Sequence, residues 1–296
     1  MNINFKYIVL IILFIVTVGS LSAQQDPNYT FYRFNMNIIN PAYAGASETT
    51  DVGLNIRSQW AGVPGAPETQ SLIFGTSVGK KVGVGLSVVN DKTFIENQTS
   101  LALDFSYKLK LNENNDLFFG IKGGFTSYDV NTEGLLTYGI QQDMSLMNID
   151  GRFNPNFGAG LYLKNDNYFI SFSVPKILTP DRLEQNNDQA RLSIDKVHYY
   201  LAGGYDFILS ENVKLKPSVL LRHVDASPIS LDITSLVEIG NRFDIGAAYR
   251  LDESVSGLLI FKTGWLDIGY AYEVALENPI RNSDNGTHEV MMSLSF

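Results

Sequence analysis

From about residue 51 to its last residue, the chain alternates apolar and polar side chains with a period of two. In residues 101–111 one face carries Leu, Leu, Phe, Tyr, Leu and Leu, while the other carries Ala, Asp, Ser, Lys and Lys. Successive side chains of a β-strand point to opposite faces, so this segment has one apolar and one polar side. The same division recurs in residues 229–234, 243–250 and 266–273. The chain after residue 50 is therefore predicted to be all β.

The pattern predicts 14 strands, and many of them have about the 9–11 residues that a tilted strand needs to cross a bilayer. They are expected near residues 51–60, 69–78, 80–90, 99–111, 116–129, 155–164, 167–174, 196–208, 212–224, 229–239, 241–251, 255–263, 264–273 and 287–296. Tight connections follow the even-numbered strands. All the long connections follow odd-numbered strands, at 61–68, 90–98, 130–154, 175–195 and 274–286. Short turns on one rim and long loops on the other are typical of outer-membrane barrels.

A large secreted β-sandwich would also alternate. Its strands usually have only about 5–6 residues, and its loops are not sorted by rim. In lipid every backbone N–H and C=O must be satisfied by the protein, so a sheet can span the membrane only if it closes on itself. We therefore predict an outer-membrane β-barrel of about 14 antiparallel strands over residues 51–296.

Residues 1–23 have the features of a secretory signal peptide. A single early charge, Lys6, precedes an apolar stretch from Ile8 to Val18, and small residues lead to a cleavage site near Ala23. The formal net charge of −9 argues against a nucleic-acid partner, which requires a basic surface. The absence of cysteine removes disulfides, thiol nucleophiles and cysteine-bound metals.

Residues 24–50 do not alternate. Phe31, Phe34 and Ile38 have helical spacing, and Asn40 followed by Pro41 is typical of an N-cap with proline at the first helical position. We expect a short helix and turns before the first strand. With an even number of strands, this segment is either periplasmic or folded into the barrel lumen as a plug.

The sequence contains no clear pattern of a catalytic or metal-binding site. His198, His223 and His288 fall near the predicted extracellular rim but on different faces of their strands, so we predict no catalytic residues and no cofactor. The oxygen-rich segments 185–189 and 282–286 lack the spacing of a calcium loop, and we predict no metal site there.

The polar faces of the strands carry charges of both signs, which fit either an ion-selective pore or a filled, salt-bridged lumen. The set is Asp104, Lys108, Lys110, Lys122, Asp232, Glu238, Asp244, Arg250, Lys262, Asp267, Glu273 and Glu289. The glycine run in residues 79–87 is expected to mark bends or close packing within the barrel.

The segment "QWAGVPGAPETQ" at residues 59–70 forms the first predicted extracellular loop. Trp60 could anchor a partner as a rigid aromatic, while Pro64 and Pro67 limit the freedom of the loop and lower the entropy lost on binding. Alternatively, Trp60 belongs to the aromatic girdle of the barrel and the prolines only shape the loop. Both interpretations stay open at this point.

Three segments make the chain recognisable: "QQDPNYTFYRFNMNIINPAYAGA" at 24–46, "RSQWAGVPGAPETQSL" at 57–72 and "NGTHEVMMSLSF" at 285–296. They resemble the PorP/SprF family of the Bacteroidota. The chain departs from the usual family ending in having Ser293 and Ser295. The resemblance implies a non-enzymatic outer-membrane accessory of type IX secretion. Its partners would be the secretion machinery or an exported protein with a C-terminal sorting domain, such as a gliding adhesin.

The partner-binding candidates come from these segments: Asn40, Pro41, Tyr43, Gly45, Trp60, Pro64 and Gly65. The alternative function is a passive porin or small-solute channel. Phe296 ends the chain on a strand that must pair with the first strand to remove the last open edge. A terminal aromatic in this position resembles the signal by which outer-membrane barrels are recognised for insertion.

Overall fold

The computed structural model describes residues 27–132, 149–179, 196–225, 227–276 and 284–296. Within these residues, 14 antiparallel strands close into one barrel, as the alternation predicts. The predicted signal peptide, residues 1–23, lies outside the described residues.

The strands in chain order are β1 (Asp51–Ser58), β2 (Glu68–Val78), β3 (Val82–Thr93), β4 (Glu96–Lys110), β5 (Asp116–Val130), β6 (Ile149–Lys164), β7 (Tyr168–Val174), β8 (His198–Tyr205 and Phe207–Ser210), β9 (Val213–Val224), β10 (Ser230–Ile239), β11 (Phe243–Arg250), β12 (Ser254–Lys262), β13 (Leu266–Ala275) and β14 (Thr287–Ser295). The two segments of β8 are separated by Asp206 and both pair with β9, so they act as one strand.

Consecutive strands pair in order, and β14 pairs with β1 to close the ring. In this closing ladder Asp51 lies opposite Ser295, and Arg57 lies opposite Glu289. Beyond the ladder, the N–H of Thr50 donates to the carbonyl of Phe296 at 3.1 Å, and the N–H of Phe296 donates back at 3.0 Å. Closure therefore extends to the last residue of the chain.

The two faces of the wall follow the predicted alternation. On β4, Leu103 and Phe105 are exposed on the outside, whereas Asp104 and Ser106 are buried in the lumen. An apolar outside is suited to lipid, and the polar groups inside can hydrogen-bond to one another. Lys110 lies on the same face of β4 as Asp104 and Ser106 but is exposed, because it is the last residue of its strand.

The connections divide the barrel into two rims. At the turn rim, which also holds Thr50 and Phe296, the connections have two to five residues, as between β2 and β3. The opposite loop rim carries the longer connections, such as residues 59–67 between β1 and β2. In outer-membrane barrels short turns face the periplasm and longer loops face outward, which orients this barrel.

The long loop predicted at residues 90–98 is wrong. Here β3 continues to Thr93 and β4 begins at Glu96, so Phe94 and Ile95 form a tight turn. Likewise, β6 begins at Ile149 rather than near 155. Where β3 and β4 extend beyond the predicted ends, their facing side chains are polar; for example, Asn90 donates a hydrogen bond to Asn97 at 2.8 Å. The sequence therefore shows no alternation of apolar and polar residues there.

The segment before the barrel contains one short helix, α1 (Met36–Ile39), followed by a 3₁₀ turn, Pro41–Tyr43. Asn40 caps this turn, because its side-chain oxygen accepts a hydrogen bond from the N–H of Ala42 at 2.9 Å. Within the described part of the chain, no helix combines the length and the apolar character needed to cross a bilayer.

Candidate functional site

Residues 27–50 occupy the barrel lumen, and we call this segment the plug. It starts near the loop rim, where Asn28 accepts a hydrogen bond from Arg222 on β9. It ends at the turn rim, where Lys164 donates to the carbonyl of Ala46 at 2.7 Å. Phe31, with 2% of its surface exposed, and Met36, with 1%, are buried against the wall. The plug therefore runs along the lumen rather than lying in the periplasm.

The part of the plug nearest the loop rim is held by Glu289 on β14. Its carboxylate accepts hydrogen bonds from the backbone N–H of Thr30 at 2.8 Å and of Phe31 at 3.2 Å. Asn55 on β1 donates to the same carboxylate at 2.8 Å. Charge-assisted hydrogen bonds of this kind are stronger than those between neutral groups, so Glu289 is a fixed anchor for the plug.

Arg57 on β1 completes this anchor. Its guanidinium lies 2.9 Å from Glu289 and 2.8 Å from Glu273, and it donates to the hydroxyl of Thr30 at 3.0 Å. Only 1% of Arg57 is exposed. Buried charges are tolerated in a protein interior when they are paired and hydrogen-bonded, which is the case here.

Sequence reasoning identified Glu273 and Glu289 as lumen charges and missed Arg57. The signal was present, because Asn55 and Arg57 alternate with the apolar Leu54 and Ile56 in the first strand. Beside this cluster, Arg250 pairs with Asp232 at 2.6 Å. The loop-rim half of the lumen is thus a network of paired charges around the plug.

The turn of the plug from Asn40 to Gly45 rests on glycines of the wall. A Cβ atom added to Gly83 would lie 1.9 Å from the carbonyl oxygen of Ala44. One added to Gly120 would lie 2.1 Å from the nitrogen of Ala42, and one added to Gly160 would lie 2.0 Å from the side chain of Asn40. We call these three wall positions the glycine seat. The expected close packing of the glycine run is packing against the plug.

The structure places Asn40, Pro41 and Gly45 inside the lumen, fully or almost fully buried, and Tyr43 partly buried beside them. Asn40 donates to Ser171 at 2.7 Å and to the carbonyl of Leu161 at 2.9 Å. Tyr43 packs edge-on against Tyr162, with ring centres 5.2 Å apart. Within the described residues, these contacts join the plug to its own barrel wall.

Gly45 has a φ of +70° and lies so close to β2 and β3 that a Cβ atom would be 2.8 Å from Gly83 and from Thr76. Only glycine satisfies both conditions at low cost. This position therefore fixes the path by which the plug leaves the lumen and enters β1.

The turn-rim half of the lumen contains a cavity of about 310 Å³ between the plug and the wall, lined by residues of β9 to β14 and of β1, β2, β6 and β7. Its wall includes Lys262, which lies 2.8 Å from Asp244 and 2.8 Å from Glu238. Lys216 pairs with the same Glu238. Elsewhere in the lumen Lys122 pairs with Asp104 at 2.8 Å and donates to the plug carbonyl of Asn37. The described lumen charges are thus largely paired with one another.

Trp60, Pro64 and Gly65 lie at the other end of the molecule, exposed on the loop rim. The loop that carries them is held by its neighbours. Gly65 accepts a hydrogen bond from the N–H of Phe94 at 2.9 Å, and Ala61 bonds to the backbone of residues 285 and 286 at 2.9 and 2.8 Å. We call Trp60, Pro64, Gly65 and Phe94 the aromatic platform.

Two residues of the aromatic platform have a strained backbone. Trp60 has a φ of +47° and Phe94 a φ of +53°, a region that bulky residues rarely adopt. Their side chains nevertheless remain 39% and 63% exposed. The strained backbone does not bury either side chain, and strain of this kind is often found at binding sites.

The histidines do not form a common site. His198 is buried, His223 stacks on Tyr199 outside the barrel, and His288 bonds to the hydroxyl of Tyr270 at 2.7 Å. Among the described residues, no group of three or more His, Asp or Glu side chains is placed to hold a metal ion. Segment 185–189 lies outside the described residues.

Solved structures of other barrels are similar to this chain. The Acinetobacter baumannii outer membrane protein Omp33 shares 10% sequence identity with a TM-score of 0.47, and the alignment covers 84% of this chain and 99% of that one. The Ralstonia pickettii toluene transporter TbuX shares 11% identity with a TM-score of 0.49, covering 86% and 90%. At such values neither structure bears on what this chain binds. No curated protein sequence matches the chain.

A protein family does match. Residues 21–294 fit the family described as "Type IX secretion system membrane protein PorP/SprF". The closed barrel with its apolar outside agrees with residence in the outer membrane. Because the match covers nearly the whole chain, the protein belongs to the PorP/SprF family of type IX secretion system membrane proteins.

Proposed function

We propose that this barrel is a docking component of type IX secretion, which holds an exported surface protein at the outside of the outer membrane. The partner would be an exported protein with a C-terminal sorting domain, such as a gliding adhesin, or the secretion machinery that delivers it. The observation that carries the proposal is the aromatic platform, which presents two strained, exposed aromatic side chains on the loop rim.

The rigidity of the aromatic platform supports docking. Large, rigid aromatic side chains lose little conformational entropy on binding and are enriched among the residues that dominate binding energy. The hydrogen bonds that the loop makes with Phe94 and with residues 285 and 286 hold it in place before any partner arrives. In this proposal Asn40, Pro41, Tyr43 and Gly45 act indirectly, because they position the plug beneath the platform.

A passive porin is the weaker candidate. Aromatic and aliphatic plug residues, among them Phe31, Tyr32 and Met36, are buried between the walls, and the lumen charges are engaged with one another or with the plug. Ion-selective pores instead present unpaired charges or carbonyls to a water-filled path. A catalytic role has no support either, since the histidines lie on separate surfaces.

The test is made in the host organism. Strains carrying a gene deletion, Trp60→Ala with Phe94→Ala, or the matched turn-rim variant Phe207→Ala are compared by surface proteomics. We expect the deletion and the platform variant to lose the same exported protein or proteins from the surface, while Phe207→Ala retains them. An unchanged surface proteome in the deletion strain overturns the secretion role. Normal cargo in the platform variant overturns the assignment to the platform.

A further inference from the structure

The turn rim carries a second feature that the docking role does not use. A recess of about 490 Å³ opens between the end of the plug and strands β2 to β5. Its cationic side chains are Lys80, Lys81, Lys108 and Lys110. The buried ring of Phe118 and the glycines Gly45 and Gly83 also line it. We call it the lysine recess.

The charges of the recess are not balanced. Lys108 pairs with Glu48 at 2.5 Å and with Asp116 at 2.7 Å. Lys80, Lys81 and Lys110 are exposed and have no acidic partner among the described residues. Three free cations around one concave surface are notable in a chain with a formal net charge of −9.

The plug itself illustrates what the recess can hold. Glu48 reaches Lys108 from an irregular backbone segment with a φ of +66°, and its side chain stays 62% exposed. The hydrogen bond from Lys108 lowers the pKa of Glu48. A turn of the plug that bears a carboxylate therefore already occupies one edge of the recess, and the three free lysines continue the same cationic surface.

From this geometry we infer that the lysine recess binds an acidic peptide segment, rich in Asp or Glu, of a protein in the periplasm. Lysine ammonium groups act as point charges and suit several separate carboxylates along a chain. The recess opens on the lumen side of the rim, since Ser77, Gly83 and Phe118 face inward, and this position disfavours a membrane lipid. The inference does not depend on the proposed docking at the loop rim, because the two surfaces lie at opposite ends of the barrel.

The probe is a fluorescein-labelled hexaglutamate peptide, titrated at low salt against the full-length purified barrel in neutral detergent. A hexaserine peptide serves as the uncharged control. The test variant is Lys80→Gln, Lys81→Gln and Lys110→Gln combined. The matched control removes three cations outside the recess, by Lys92→Gln, Lys196→Gln and Arg242→Gln combined. Heat-modifiable migration on gels verifies that each variant is folded.

We expect the test variant to bind hexaglutamate at least about tenfold more weakly, while the control variant binds like the unmodified protein. Equal weakening in both variants, or none in the test variant, overturns the inference. Displacement of the peptide by inorganic phosphate or by phosphatidylglycerol vesicles at matched charge concentration also overturns it, because the recess would then prefer those anions. As a second readout, Ser77→Cys in this cysteine-free chain should be protected from a maleimide by hexaglutamate and not by hexaserine.

Discussion

Arg57 on the first strand and Glu289 on the last strand are direct register partners, and their side chains meet 2.9 Å apart in the lumen. The same carboxylate accepts two backbone hydrogen bonds from the plug. One ion pair therefore joins the seam that closes the barrel to the segment that fills it. Closure and plugging are expected to be energetically coupled.

Replacing Arg57 by Leu should destabilise the folded barrel by about 3–5 kcal/mol, because Glu289 and Glu273 would keep buried charges without their main partner. The measurement is the temperature at which the heat-modifiable band is lost in detergent. Arg242→Leu, at an exposed position, is the matched control. If both variants unfold at the same temperature, the ion pair is not a structural anchor. Adding Glu289→Gln to Arg57→Leu should recover part of the loss, since one uncompensated charge is then removed.

The glycine seat predicts a change in conductance. Gly120→Val places its Cβ atom 2.1 Å from the nitrogen of Ala42, closer than non-bonded atoms can approach, so the plug turn must move away from the wall. In planar bilayers the unmodified barrel should pass little current, and Gly120→Val should show larger or more frequent openings. Gly257→Val is the control, because nothing lies within 4 Å of the corresponding Cβ position. A folded Gly120→Val protein that stays as silent as the control would show that the seat does not hold the plug.

The positions of the strands could be predicted from the sequence because lipid and lumen impose a period of two on every wall segment. The hairpin tip at Phe94 escaped prediction, since the polar ladder around Asn90 and Asn97 carries no apolar alternation. The path of the plug escaped it for another reason. Asn40 is buried only because Leu161 and Ser171, more than 100 residues away, satisfy its side chain. The sequence around Asn40 does not show which distant residues will bond to it.

Phe94 allows binding to be separated from strain. Phe94→Gly places at a φ of +53° the residue that adopts it most readily, so the stability of the barrel should stay unchanged or rise by about 1 kcal/mol. The aromatic side chain is lost, however, and binding of the exported partner should weaken by about tenfold or more. Thermal unfolding and a pull-down of the surface protein measure the two effects. Loss of stability together with binding would mean that the ring supports the loop rather than the partner.

The end of the plug should respond to acid. Lys108 lowers the pKa of Glu48, so the contact stabilises the folded state above the ordinary carboxylate pKa of about 4.5 and is lost as the pH falls through the lowered value. Labelling of Ser77→Cys, which lines the same recess as Glu48, should therefore accelerate as the pH falls below 4.5. In the background of Glu48→Gln that acceleration should disappear. A rate with the same pH dependence in both backgrounds, after correction for thiol ionisation, would contradict the assignment.

Phe296 offers a test of what the last residue contributes. Its backbone is paired twice with Thr50, whereas its ring is 70% exposed and contributes little to packing. Phe296→Ala keeps the backbone bonds and removes only the ring, so the purified barrel should unfold at an unchanged temperature. If the ring is a recognition element for insertion, the amount of assembled barrel in the outer membrane should nevertheless fall several-fold. Trp265→Ala is the control, since that ring is 57% exposed on the same rim and its carbonyl bonds to Ser295. If the two variants assemble equally, Phe296 has no role in insertion beyond that of an interfacial aromatic. If assembly falls only in Phe296→Ala, the ring acts as a signal for insertion that is distinct from the backbone pairing that keeps the barrel closed.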